Sequence, residues 1–209
     1  MKQIINVLSL SLVVSVLAFS AFVGLEPRLA AAVSDSVTVT QDVTAGISIS
    51  SPADVTMNAL TTTQNTSVGT STWTVITNNA AGYTLGVKAD YTGKTAALTS
   101  STDQFADYAT SSPSLWSVTN NYMFGFAPFG NDTTGYGTGT LCESANDTPS
   151  TTLYYVGFYS ADRQIASSSS ETTQAGTATT VCYATEQDTV WAPSGTYTAT
   201  ITATATTNP

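Results

Sequence analysis

Trp73-Thr74-Val75-Ile76-Thr77-Asn78-Asn79-Ala80-Ala81-Gly82-Tyr83-Thr84-Leu85-Gly86-Val87 decides the fold class. Trp73, Val75 and Thr77 recur at every second position, as do Tyr83, Leu85 and Val87, which is the period of a half-buried strand and not of a helix. Asn78 to Gly82 between them supply residues that tolerate positive φ. The stretch therefore predicts a β-hairpin with Trp73 and Tyr83 on its buried face.

The same alternation runs outward in both directions. Val37, Val39, Val43, Ile47 and Ile49 predict two short strands or one bulged strand ending at Pro52, and Asp54 to Leu60 a further short strand. Thr61 to Thr72 has no apolar face and reads as a loop, and Phe105 to Tyr108 as a single helical turn. Leu115 to Val118 and Tyr122 to Phe129 read as strands, the second aromatic enough to be buried on both faces. Asn131 to Gly139 is a loop, Leu153 to Tyr159 an apolar run, and Ala166 to Ala178 a Ser/Thr-rich connection. Thr180 to Ala184 and Tyr197 to Ala205 complete the set of strands, the last with threonines on its polar face. Eight to ten short strands at this spacing predict an all-β fold. The expected architecture is an antiparallel β-sandwich, Ig-like or jelly-roll-like, with long Ser/Thr-rich loops and one core over residues 33–209. A closed barrel is the second choice.

Met1-Lys2-Gln3 followed by an uncharged run from Ile4 to Leu25 is the pattern of an export signal. Ala30 and Ala32 provide the small residues a signal peptidase reads, which predicts cleavage between Ala32 and Val33. Domain organisation is thus a signal helix over 1–32 and one β domain after it. The alternative is that the uncharged run, long enough to cross a bilayer, is retained as a membrane anchor. Either outcome places the β domain outside the cytoplasm, extracellular or at the cell surface, with Lys2 on the cytoplasmic side.

Cleavage removes two of the five basic and one of the fourteen acidic side chains, leaving three against thirteen and a formal charge of −10. A polyanion such as nucleic acid is repelled by that balance, and a polybasic grip on anionic lipid is absent. Charged residues are only 9% of the chain, so solubility rests on hydroxyls and amides. Ten Tyr, seven Phe and three Trp exclude a disordered chain.

The two cysteines, Cys142 and Cys182, lie in the exported part, where oxidising conditions favour a disulfide. They are expected at strand ends or loop bases, partly exposed, closing an insert at a gain of about 4 kcal/mol in chain entropy.

Chemistry is hard to find. The chain has no histidine, which removes the commonest general base, the commonest metal ligand and every Ser-His or Cys-His nucleophile. Asp103 with Asp107, or Glu186 with Asp188, leaves paired-carboxylate hydrolysis formally open. No phosphate loop, dinucleotide fingerprint or Gly-x-Ser-x-Gly elbow is present. A non-enzymatic protein without a resident cofactor is expected. Calcium is the one candidate ion, through Asp132 and Asp147 in acidic turns, with Asx-capped turns as the alternative reading.

Trp73 to Leu85, together with Gly195-Thr-Tyr-Thr-Ala-Thr-Ile-Thr-Ala-Thr-Ala-Thr206, resembles secreted bacterial surface β-sandwich proteins. The types it resembles are WxL-domain wall proteins and camelysin/TasA-like or coat-protein-like fibre subunits. The Trp-x-Leu signature is Trp-x-Val at Trp73 and Trp116, so no wall-binding residue carries over. The resemblance implies a structural or adhesive surface role, with partners that are other copies of the chain or cell-surface polymers. Without a Leu-Pro-x-Thr-Gly sorting motif, the protein is expected to be released, held noncovalently or self-assembled. A carbohydrate-binding module is the alternative, with Trp191 and Tyr136 as candidate sugar-stacking residues beside loops.

Overall fold

The computed structural model describes residues 34–108 and 111–209. The signal segment, with Ala30, Ala32 and Val33, lies outside the described residues. Two compact units divide the chain, Met1–Asp42 and Val43–Pro209. The described part of the first has no strand; Val37 and Val39 are exposed, so the strand expected from their alternation is absent. Alternation alone does not fold a segment that has no partner ladder.

The second unit is all-β among the described residues. Its strands are β1 (Ile47–Ile49), β2 (Thr66–Thr77), β3 (Tyr83–Ala89), β4 (Ala106–Asp107), β5 (Ser114–Leu115) and β6 (Asn121–Gly130). They continue as β7 (Glu143–Ala145), β8 (Thr148–Pro149), β9 (Tyr154–Tyr155), β10 (Arg163–Ser168), β11 (Thr177–Asp188) and β12 (Ile201–Thr207). A five-stranded sheet has the order β1-β2-β11-β6-β4, and a three-stranded sheet the order β10-β3-β12. Two small ladders, β5-β9 and β7-β8, lie apart from these. Residues of both larger sheets share one core, so the arrangement is sandwich-like.

The hairpin read from Trp73 to Val87 has the right faces and the wrong pairing. Trp73, Val75, Thr77, Tyr83, Leu85 and Val87 are all buried. Yet β2 pairs with β1 and β11, whereas β3 pairs with β10 and β12. Asn78 to Gly82 is therefore an arch that carries the chain from one sheet to the other. Gly82 sits at φ 81°, and a Cβ there would lie 2.1 Å from the Ser168 carbonyl oxygen. Asn79 Nδ2 donates to the carbonyls of Gly82 and Asn208. These contacts bind the arch to the three-stranded sheet and leave no room for a two-strand turn.

The Thr-rich segment expected to be a loop is a strand from Thr66 onward, where Thr66, Ser67 and Ser71 are buried along the ladder with β11. Ser71 Oγ lies 2.8 Å from the Tyr183 hydroxyl inside the core. Asp54 to Leu60 forms no strand, although Val55, Met57 and Leu60 pack against the core. Phe105 to Tyr108 is no helical turn: Ala106 and Asp107 pair in parallel with Met123 and Phe124.

β11 pairs with β2 and β6 over most of its length. Val181 and Tyr183 face the main core, where Phe126 and Phe158 stack at 4.2 Å between ring centroids. Cys182 and Ala184 face the opposite side, where a second cluster forms with Tyr108, Leu153 and Tyr155. The single expected core is thus two, one on each face of the five-stranded sheet.

Phe126 is fully buried at the centre of the aromatic stack. Phe126→Ala is expected to lower stability by about 3–5 kcal/mol, measured by urea denaturation. Thr204→Ala, on the outer face, is expected to stay within about 0.5 kcal/mol.

Candidate functional site

Edge strands are the first candidate, since an edge exposes unpaired backbone donors and acceptors. β1 spans three residues and β4 two, too short to template another chain. β10 carries a register shift between Gln164 and Ala166, and Arg163 opens it. β12 differs. Its seven residues pair with β3 in unbroken register from Ile201↔Ala89 to Thr207↔Tyr83, with no charge and no proline. Ile201, Ala203 and Ala205 pack against the main core but remain only half-buried. Among the described residues no strand is hydrogen-bonded to its other side, although β1 of the facing sheet lies close to it. The regular C-terminal pattern in the sequence pointed here; that β12 is an edge was not legible, because edge position depends on which strand β3 chooses.

The layer behind the five-stranded sheet is the second candidate. Cys142 and Cys182 form a disulfide with Cα atoms 5.2 Å apart. The expected pairing holds, but the expected exposure does not: Cys182 is fully buried in mid-strand and Cys142 nearly so. The bond fastens the β7–β9 region down onto Ala127 and Ala184. Tyr155 supports it by donating its hydroxyl hydrogen to the Cys142 carbonyl at 3.1 Å while accepting the Ser150 N–H. Burial pushes the Tyr155 phenol up to about 12.

Trp116 completes this layer. It stacks on Tyr108 at 4.5 Å, meets the edge of Tyr155, and donates its indole N–H to Glu186. Gly125 makes room for it, since a Cβ there would lie 2.7 Å from Tyr108 Cβ and 3.0 Å from the Trp116 ring. Burial raises the Glu186 carboxyl above its ordinary range; the indole hydrogen bond pulls the other way and Asp188 adds to the rise. The Asp107 carboxyl is likewise raised by burial although Tyr91 O–H and the Ala97 N–H donate to it. Sequence reading passed over Trp116 and Glu186 as a pair because they lie 70 positions apart.

The remaining candidates scatter. Tyr136, expected as a sugar-stacking residue in an open turn, is 6% exposed, and its hydroxyl donates to the Gln164 carbonyl. Its ring lies beside Phe126 and is closed to a ligand, because the glycine-rich turn folds inward over it. Trp191 is 51% exposed next to the exposed Val190 and keeps an open face. Asp132 accepts the Tyr83 hydroxyl at 2.7 Å, and Asp147 accepts Asn58 Nδ2 at 2.6 Å. Each carboxylate thus serves a different neighbour, and no group of three or more His, Cys, Asp or Glu side chains that could hold a metal ion occurs among the described residues. Asp103 hydrogen-bonds within its own turn, so it does not pair with Asp107.

Comparison with protein-family models, curated proteins and solved structures finds no match. Function therefore has to be argued from this geometry alone.

Replacing both cysteines with serine is expected to lower stability by about 2–4 kcal/mol and leave the main core assembled. Near-ultraviolet circular dichroism should then lose the Trp116 signal and keep a cooperative transition. For Glu186 the sign follows from its raised pKa: the folded state holds the proton more tightly, so ionisation destabilises the fold as pH rises through the raised value. Wild type should be weaker than Glu186→Gln near pH 7, and the gap should close as pH falls below the carboxylate range, read by denaturant midpoints at several pH values.

Proposed function

We propose that this protein is a non-enzymatic structural or adhesive component of the cell surface, exported and then joined to further copies of itself through the open edge of β12. The observation that carries the reading is that edge: seven regular, uncharged residues with a half-buried apolar face, hydrogen-bonded to β3 on one side and to no strand among the described residues on the other. Main-chain pairing needs no side-chain chemistry, which agrees with a chain lacking histidine. A buried disulfide suits an extracellular location, where such bonds persist. A two-sheet sandwich of the Ig-like or jelly-roll-like kind belongs to the same proposal, as does kinship with bacterial fibre and wall subunits. The assembly uses no cofactor.

A second reading, a carbohydrate-binding module, is favoured by one observation, the open face of Trp191 beside Val190. Trp191→Ala should then weaken retention on cell-wall polysaccharide columns; unchanged retention ends that reading.

Self-assembly is tested on the signal-free, disulfide-bonded protein by electron microscopy and light scattering across concentration. Ordered polymers are expected for wild type. Thr204→Lys/Thr206→Lys, which charges the outer face of β12, should leave the melting temperature nearly unchanged and abolish the polymers. A protein that stays monomeric at every concentration overturns the proposal.

A further inference from the structure

Three Asn-x-Ser/Thr tripeptides occur in the chain, at Asn65-Thr66-Ser67, Asn131-Asp132-Thr133 and Asn146-Asp147-Thr148. In a chain this rich in Ser and Thr the tripeptide alone means little. Its coincidence with the hydrogen bonding means more. Asn58, Asn78, Asn79, Asn120, Asn121 and Asn208 each use the side-chain amide in a hydrogen bond. Asn65, Asn131 and Asn146 are exposed and make none with the side chain among the described residues. All three asparagines of the tripeptides thus leave both side-chain amide atoms free, whereas Asn120 and Asn121 accept hydrogen bonds at Oδ1.

Two of them are also presented on tight turns. Asn131 and Asp132 span the turn closed by Thr133 N–H and Oγ1 donating to the Gly130 carbonyl. Asn146 and Asp147 form the two-residue loop of the β7–β8 hairpin, at φ 49° and 57°. In both, the middle aspartate is turned back onto the protein, Asp132 by Tyr83 O–H and Asp147 by Asn58 Nδ2. That keeps the carboxylate off the asparagine and leaves the amide facing solvent. Asn65 differs, since Ser67 is fully buried in β2 and the hydroxyl is not presented.

We propose that Asn131 and Asn146 are N-glycosylation sites. The donor is an oligosaccharide linked to a polyprenyl diphosphate, and the catalyst is a membrane oligosaccharyltransferase met during export. Nδ2 attacks C1 of the first sugar, the C1–O bond to phosphate breaks, the diphosphate leaves with its electron pair, and the amide gives up one proton. No oxidant or reductant enters. Glycans at these turns would hydrate a surface that has few charges. The inference rests on the export reading above.

The test is peptide-level mass spectrometry of full-length protein purified from its own source, with thiol titration of the same material. Glycan on the Asn131 and Asn146 peptides is expected. Thr133→Ala and Thr148→Ala should each remove it with the asparagine intact, while Thr133→Ser and Thr148→Ser retain it, separating transferase recognition from adventitious sugar. Unmodified peptides from disulfide-bonded protein that has lost residues 1–32 overturn the glycan sites and leave export standing. Unmodified peptides from protein with two free thiols and an intact N-terminus overturn both.

Discussion

Both faces of β11 are covered, and most of the remaining architecture answers that condition. A strand buried on two sides needs ladders on both edges and apolar side chains through its middle; Thr177–Asp188 has β2 on one edge, β6 on the other and Val181 to Ala184 at its centre. Val181 and Tyr183 require the three-stranded sheet above them; Cys182 and Ala184 require a second cover below. No regular sheet supplies that lower cover. Short pieces do, held by the disulfide, by the Tyr155 hydroxyl and by the stacked Tyr108 and Trp116 rings. The bond thus anchors this layer directly to a strand that is hydrogen-bonded along both edges.

The sequence showed which residues are buried far better than it showed which strands are neighbours. Period-two alternation reports the face a side chain points to, so Trp73, Val75, Tyr83 and Leu85 were placed correctly. It carries no information on whether the next strand is bonded alongside or stacked opposite, and the arch at Asn78 to Gly82 satisfies the same pattern as a hairpin. Hydroxyl residues misled in a second way. Thr66, Ser67 and Ser71 look like loop composition, but they are buried in β2, and Ser71 meets the Tyr183 hydroxyl inside the core. At the candidate site, the cysteine pairing was legible from compartment and count, whereas its depth depended on Cys182 falling at mid-strand. Tyr136 was misplaced for a related reason: the glycine-rich turn that promised exposure is what lets the ring fold inward.

The surface and the core divide the chemistry between them. The described carboxylates with raised pKa values, Asp107 and Glu186, are structural acceptors for Tyr91 and Trp116 and do not face one another across a cleft. Polar chemistry inside serves positioning. Outside, the outward side of β12 presents Thr202, Thr204 and Thr206, a hydroxyl-coated strip without net charge. Such a strip is weakly hydrated compared with one built from Lys and Glu, so contacts made along it cost little desolvation and depend little on salt.

The arch has a consequence in time. Because β2 and β3 do not pair with each other, their long ladders form with strands far along the chain: Ser71 meets Tyr183 at a separation of 112 positions, and Thr84 meets Asn208 at 124. Loop closure of that length must precede the contacts that reward it, which slows folding to the millisecond-to-second range. If the chain is exported unfolded, as the proposed function requires, it gains from this. Apart from the three-residue β1–β2 ladder, its early strands have no local partner with which to fold prematurely and block the passage, and neither large sheet can close until residues beyond 180 have emerged.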